Sequence, residues 1–328
     1  MNFKKILCVS VSLWLFFLVS GCRSTPRSSN RVVLYCSVDD VYARPIIAEL
    51  EKKTGLQIEA LYDVEAAKTA GLANRIRAEK SRPRGDVFWS SALLQTLLLQ
   101  REGLLQEYSS PGAKDIPANF KEKRGMWTGM GARQRVMVFN QKLSRPPRTL
   151  SELLRPDLKN KIAISNPQFG TSSDWAAALS VRWGEKQTLE YFRNLKKNGV
   201  RVMPGNGVVA ERVTHGEAFA GVTDTDDYFA QKKNIGEIQM SQSAEPHSIN
   251  AMTIPGSVAI LKSAPHSDNA QKLVDALVSK EFEDLLIQKM KGVSSLRNMK
   301  NPPPNDTQKW ADAWLSIRDP LFEILLTP

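Results

Sequence analysis

RVVLYCSVDDVYARPIIAELEKKTGLQIEALYD, residues 31–63, holds a complete strand–helix–strand unit. Residues 31–38 form an apolar, β-branched run that reads as a buried strand. Asp39 or Asp40 then offers an N-cap for a helix running to Lys53, and Gly55 can end it. Pro45 falls late for a first helical turn and predicts an irregular start. Residues 56–63 read as the next strand.

The rhythm continues outward. Residues 65–80 read as helix, 86–90 as a short buried strand and 92–103 as helix. This order implies parallel strands with right-handed crossovers. A second series follows: strand 161–165, helix 172–183, a charged helix over 185–198, strand 200–204, helix 208–217 and strand 219–224. Two extended segments, 133–140 and 251–263, could join the two series. One helix is expected from 268 to 289 and a last amphipathic one near 310–317.

The first 22 residues set the compartment. Lys4 and Lys5 precede an apolar run from Ile6 to Val19, then Ser20, Gly21 and Cys22. Such a run is too short to span a bilayer comfortably and reads as an export signal. Val-Ser-Gly-Cys resembles a bacterial lipobox, which implies cleavage before Cys22 and lipidation of its thiol. The expected organisation is signal 1–21, lipidated spacer 22–30, lobe one from 31–132 plus 257–305, and lobe two from 133–256 plus 306–328.

The chain has 328 residues, 42% of them hydrophobic, enough for two cores. Of Cys8, Cys22 and Cys36, only Cys36 is left for the folded part, so no internal disulfide is expected and a buried thiol is. Without Lys4 and Lys5 the balance is 43 basic against 34 acidic residues, or +9. The basic residues are scattered along helices without aromatic interleaving. With export, this argues against nucleic acid and for a solvated surface, with an anionic membrane or ligand as the alternative.

Several short segments, in this order, carry a resemblance: YCSVDD (35–40), YDVEAAKTAGLANRIRAEK (62–80), GDVFWSS (85–91), GMGARQRVMVFN (129–140), NPQFGTSSDWAAAL (166–179), NGVVAERV (206–213) and GVTDTDDYFAQ (221–231). Over about residues 31–290 the chain resembles the extracellular solute-binding proteins of bacterial ferric-iron-type ABC importers. The resemblance implies two doubly wound α/β lobes joined by crossing strands, as in type II periplasmic binding proteins. It implies a cleft ligand, no catalytic machinery, a permease partner in the inner membrane, and a monomer anchored by lipid and facing the periplasm or cell exterior.

Ligands in open α/β sheets lie beyond the carboxyl ends of strands. That rule selects Ser37, Asp39, Glu65, Ser90 and Ser91 in the first lobe, and Gly170, Thr171, Ser172, Ser173, Asn206 and the acids after Thr223 in the second. The Gly-Thr-Ser-Ser turn can donate hydroxyls and helix-start N–H groups to an oxyanion, although ordinary N-capping uses the same residues. The resemblance implies that this turn holds a phosphate or carbonate sharing the metal. Arg133 and Arg135 alternate with Gln134 and share one strand face. Arg133 suits an anion or an ion pair equally; for Arg135 the ion pair is favoured. Helix-start stabilisation explains Glu65 without function, and the resemblance makes it a ligand contact.

Asp224, Asp226 and Asp227 put three carboxylates within four residues. They suit a hard cation, an ammonium group, or a solvated loop. The expected metal set is Glu65, Asp224, Asp226 and Asp227, holding Fe(III) with phosphate or carbonate. Best-known iron binders of this kind carry adjacent tyrosines where Thr225 and Asp226 stand here, and Tyr228 is a single candidate. A phosphonate, sugar phosphate or polyamine is the alternative ligand. His215, His247 and His266 show no metal-motif spacing. Trp89, Trp127 and Phe169 fall beside the cleft loops, where wall packing is the plainer reading. Asp-Thr-Asp in GVTDTDD also has the form of a phosphatase nucleophile pair, late in the chain for that role.

Overall fold

The computed structural model describes residues 30–63, 69–234, 238–240, 252–299 and 306–327. The signal segment, Cys22, Glu65 and His247 lie outside these residues. The opening unit forms as the sequence dictates: β1 (Arg31–Cys36), α1 (Asp40–Thr54) and β2 (Gln57–Tyr62). Asp39 precedes α1, which runs unbroken through Pro45 where an irregular start was expected; Gly55 closes it with an N–H on the Glu51 carbonyl. α2 (Ala70–Ala78), β3 (Val87–Ser90) and α3 (Leu94–Arg101) follow.

β4 (Thr128–Asn140) is the long strand that organises the molecule. Beyond it come β5 (Ile162–Ser165), α4 (Gly170–Trp183), α5 (Glu185–Lys197), β6 (Arg201–Met203), α6 (Asn206–Thr214), β7 (Ala220–Asp224), α7 (Thr225–Asn234) and β8 (Ile238–Met240). β9 (Thr253–Ile260) returns, and α8 (Ser267–Leu277), α9 (Lys280–Lys289) and α10 (Trp310–Leu326) complete the chain.

The strands pair in the order β2-β1-β3-β9-β4-β7-β5-β6, with β8 also on β4. β2, β1 and β3 are parallel, as are β6, β5 and β7. β9 and β4 run antiparallel between these groups. The first half of β4 pairs with β9, up to Gln134 opposite Thr253; from Arg135, opposite Asp224, it pairs with β7. Two α/β halves therefore share one strand pair, and the cleft opens beside it.

Three further readings change. The helix expected over 268–289 is two helices, divided at Ser279, whose hydroxyl accepts the Phe282 N–H at 3.4 Å. The solvated-loop alternative for the acidic trio does not hold: Asp224 ends β7, and Asp226 and Asp227 lie in the first turn of α7. α10 continues through Pro320 to Leu326.

One core lies under α1, α8 and α9, around Leu34, Ile46, Phe120 and Phe282. Another runs between the halves through α3, α4, α5 and α10, with Trp175 edge-on to Phe192 at 5.3 Å between centroids. Fully burying each such side chain contributes about 1.5–3 kcal/mol. Cys36 is buried in the first core, as its strand pattern requires, and burial raises its thiol pKa out of the reactive range.

Candidate functional site

Three strand-to-helix junctions of the second half meet at one place: β5 to α4, β6 to α6 and β7 to α7. Each points a helix start toward the cleft, where unpaired N–H groups and the dipole favour negative charge. α4 and α6 begin after Phe169 and Gly205, neither of which supplies a side-chain cap. Gly170 has φ +54°, a left-handed turn that glycine makes without steric cost, and it swings the chain into α4.

The cleft is a small, mostly polar space. Its second-half wall holds Gly170, Thr171, Asn206, Asp226 and Asp227; Asp39, Ser91 and Arg133 face them. The sequence-selected residues thus divide. Ser90 lines a neighbouring cavity and donates to the Ala92 carbonyl at 2.6 Å. Ser37 is buried and accepts the Ser91 N–H at 2.9 Å. Ser172 and Ser173 lie behind the wall; the Ser173 hydroxyl donates to the Gly170 carbonyl at 2.6 Å, an internal helix bond. Ser165, Pro204 and Gly205 also line the cleft. The strand-end rule covers Ser165, the last residue of β5, and Pro-Gly between β6 and α6 marks the turn that presents Asn206.

Two arginines organise the acids. Arg135 is fully buried, and its Nη1 donates to Asp224 at 2.8 Å, Asn206 at 3.0 Å and Thr171 at 3.1 Å. Its guanidinium carbon lies 5.4 Å from the Trp175 ring centroid. The other oxygen of Asp224 accepts from Asn206 Nδ2 at 3.1 Å and from the Thr171 hydroxyl. Asp224 is therefore a buried brace that ties the starts of α4 and α6 to β4, and it does not line the cleft.

Arg133 reaches the other way. Its Nη1 lies 3.2 Å from Asp226 and 3.7 Å from Asp224, and its Nη2 donates to the Ser91 carbonyl. Burial would lower the Arg133 pKa; Asp226, Asp224, Asp227 and Asp39 outweigh it and hold the guanidinium above its usual range. Asp227 accepts from the Thr223 hydroxyl at 3.1 Å. Carboxylate oxygens of Asp224, Asp226 and Asp227 lie within 4.8 Å of one another, close enough to share a cation. Four carboxylates against two guanidiniums leave a negative surplus, set beside helix starts that favour an anion. The cleft can therefore hold a positive and a negative group side by side.

Asp174 links the halves. It is fully buried on α4, and its Oδ1 accepts the N–H groups of Leu93 at 2.8 Å and Leu94 at 3.0 Å, at the start of α3. Burial dominates and pushes its pKa up to about 7, opposed by those two N–H groups and by Arg133, with Asp224 adding to the rise. Sequence reasoning passed over Asp174 because an aspartate near the start of its own helix carries no sign of a distant helix start.

Of the other candidates, only Phe169 reaches the cleft. His266 Nδ1 is 2.8 Å from Asp86, and His215 ends α6. Trp127 is buried in the core and donates to Gln100 at 2.9 Å; Phe169 lines the cleft and Trp89 the neighbouring cavity. Tyr228 packs beside the small core of β4 and α6 and edge-on to Phe229.

Residues 87–314 match the family model described as bacterial extracellular solute-binding protein. The major ferric iron-binding protein of Neisseria meningitidis serogroup B is 27% identical, over 80% of each chain. The structure of iron-bound HitA from Pseudomonas aeruginosa superposes with a TM-score of 0.78 at 21% identity, over 88% of this chain and 99% of that one. AfuA from Actinobacillus pleuropneumoniae, with fructose-6-phosphate bound, superposes with a TM-score of 0.79 at 22% identity, over 91% and 99%.

Proposed function

Since the chain belongs to the bacterial extracellular solute-binding proteins, we propose that it is the capture component of an ABC importer, taking ferric iron together with an oxyanion into the cleft for delivery to a membrane permease. The observation that carries this reading is the pairing of charges across one small space. Helix starts at Gly170–Thr171 and Asn206, with Arg133, suit phosphate or carbonate oxygens. Asp226 and Asp227, with Asp39 opposite, suit a hard cation. Asp224, expected among the ligands, acts in this reading from behind, through Arg135, Thr171 and Asn206. A relative named for ferric iron supports the cargo.

A second reading is a metal-free phosphonate or sugar phosphate. One observation favours it: Arg133 already lies against Asp226, where a cation would have to compete. The fructose-6-phosphate bound to AfuA is consistent with that chemistry in this fold. An Asp-dependent phosphatase fits poorly, because Asp224 has both oxygens engaged and is buried behind Thr171 and Asn206.

We assign the lobes as 31–132 plus 257–305 and 133–256 plus 306–328, with the export signal ending at Gly21 and a lipid on Cys22. The protein acts as an anchored monomer and needs no catalytic cofactor.

The test is calorimetric titration with ferric citrate and with phosphate, each alone and together, backed by elemental and mass analysis of ligand carried through native purification. Ferric binding that strengthens with phosphate or carbonate, and weakens in Thr171→Ala, is expected. Iron affinity indifferent to either anion would refute the paired-ligand reading. Tight binding of a phosphorylated metabolite without metal would select the second.

A further inference from the structure

Among the described residues that line the cleft, Arg133 is the only basic one, against the carboxylates of Asp39, Asp226 and Asp227. Its guanidinium occupies the place a cargo cation would take: Nη1 is 3.2 Å from Asp226. Arg133 belongs to the crossing strand β4, opposite Ile254 of β9, so its backbone is held between the two halves. Any exchange of partners must come from the side chain.

The two arginines of β4 differ in what they would leave behind. Arg135 is fully buried, and its Nη1 holds Asp224, Asn206 and Thr171 at 2.8, 3.0 and 3.1 Å. Moving it would strand the buried Asp224 charge. Arg133 is 3.7 Å from Asp224, whose two oxygens are already engaged by Arg135, Asn206 and Thr171. When Arg133 moves, that carboxylate keeps its partners. Arg133 itself gives up its pair with Asp226 and the Nη2 bond to the Ser91 carbonyl. A hard cation can replace it at Asp226. An oxyanion at the starts of α4 and α6 can receive it, since guanidinium presents a planar fork of donors that matches phosphate or carboxylate oxygens.

We propose that Arg133 is an internal counter-ion that changes partners on loading: it neutralises Asp226 in the empty cleft, yields that carboxylate to the incoming cation, and turns its guanidinium to the oxyanion. This rests on the paired-ligand reading of the proposed function and names the residue that couples the two parts of the cargo. A cation binding alone has to drive Arg133 off Asp226, and the anion gives the guanidinium a new partner. Each ligand then raises the affinity of the other by one common factor, of about 5–150-fold for couplings of this kind.

The full exported chain is crystallised empty and loaded with ferric ion and phosphate. The guanidinium should lie on Asp226 in the empty crystal, and on a phosphate oxygen, away from Asp226, in the loaded one. A guanidinium still on Asp226 in the loaded crystal overturns the exchange. In solution, ferric ion from a nitrilotriacetate chelate at fixed chelator, and inorganic phosphate, are titrated calorimetrically into the native chain and Arg133→Gln. Iron alone should bind the variant about tenfold tighter, because the cation no longer enters beside a like charge. Phosphate should bind the iron-loaded variant about tenfold more weakly, through loss of a charged donor. Iron-alone affinity that is unchanged or weaker, in a variant that melts as the native chain does, overturns the inference and leaves the proposed function standing. If the variant does not fold, the crystal pair decides. If the native chain binds no iron, or binds it with an affinity indifferent to phosphate and carbonate, the paired-ligand reading fails and this inference with it.

Discussion

The stability of Asp174→Asn relative to the native chain should rise as the pH is raised from acid to 8. In the folded state the Asp174 carboxyl titrates near pH 7, chiefly through burial; in the unfolded chain it should titrate near 3.9. The folded state therefore binds the proton more tightly. Stability from this group is fully present below about pH 4 and is lost as pH rises through about 7. At about 1.4 kcal/mol per pH unit, the full loss is at most about 4 kcal/mol. Asparagine does not titrate here, and its oxygen can still accept from Leu93 and Leu94. Its amide replaces a carboxylate oxygen that has no hydrogen-bond partner among the described residues. That replacement adds an offset independent of pH, so the pH dependence of the difference is the clean quantity. Urea unfolding of both proteins from pH 4 to pH 8.5 reads it: the difference should rise with pH and level off above about 7. Parallel curves, or a difference that shrinks with pH, would refute the placement of a buried, charge-strained carboxyl between α4 and α3.

Asp224→Ala strips the buried Arg135 guanidinium of its counter-charge and should cost about 3–5 kcal/mol in urea unfolding; an unchanged midpoint would mean that Arg135 is not braced there. Arg133→Gln removes a charge-assisted donor from the cleft, worth about 1.5–3 kcal/mol or at least a tenfold loss of anion affinity by calorimetry; full affinity would move the anion elsewhere. Asp226→Asn should weaken ferric binding more than phosphate binding, and equal losses would argue against separate cationic and anionic halves of the cleft.

Much of the frame was legible because its signals are local. The β-branched runs, the Asp39 helix entry and Gly55 delimit β1, α1 and β2 from neighbouring residues alone. The crossing of β4 was visible as a long extended segment at 133–140. The break at Ser279 was not, because apolar periodicity runs nearly in phase through both α8 and α9. At the site, the strand-end rule found Thr171, Asn206, Asp39 and Ser91. It could not separate Asp226 and Asp227, which line the cleft, from Asp224, which braces it, because the burial of Asp224 depends on Arg135 and Thr171, each more than 50 residues away in the chain. The Asp174 bridge arises from packing between distant segments, and no local pattern encodes it.

The most direct measurement is a crystal structure of the exported protein purified with its native ligand. An oxyanion should be bound to the Arg133 guanidinium and the first N–H groups of α4, with positive charge, metal or ammonium, against Asp226 and Asp227. A ligand seated away from Arg133 and Thr171, or one carrying no anionic oxygen, would contradict it.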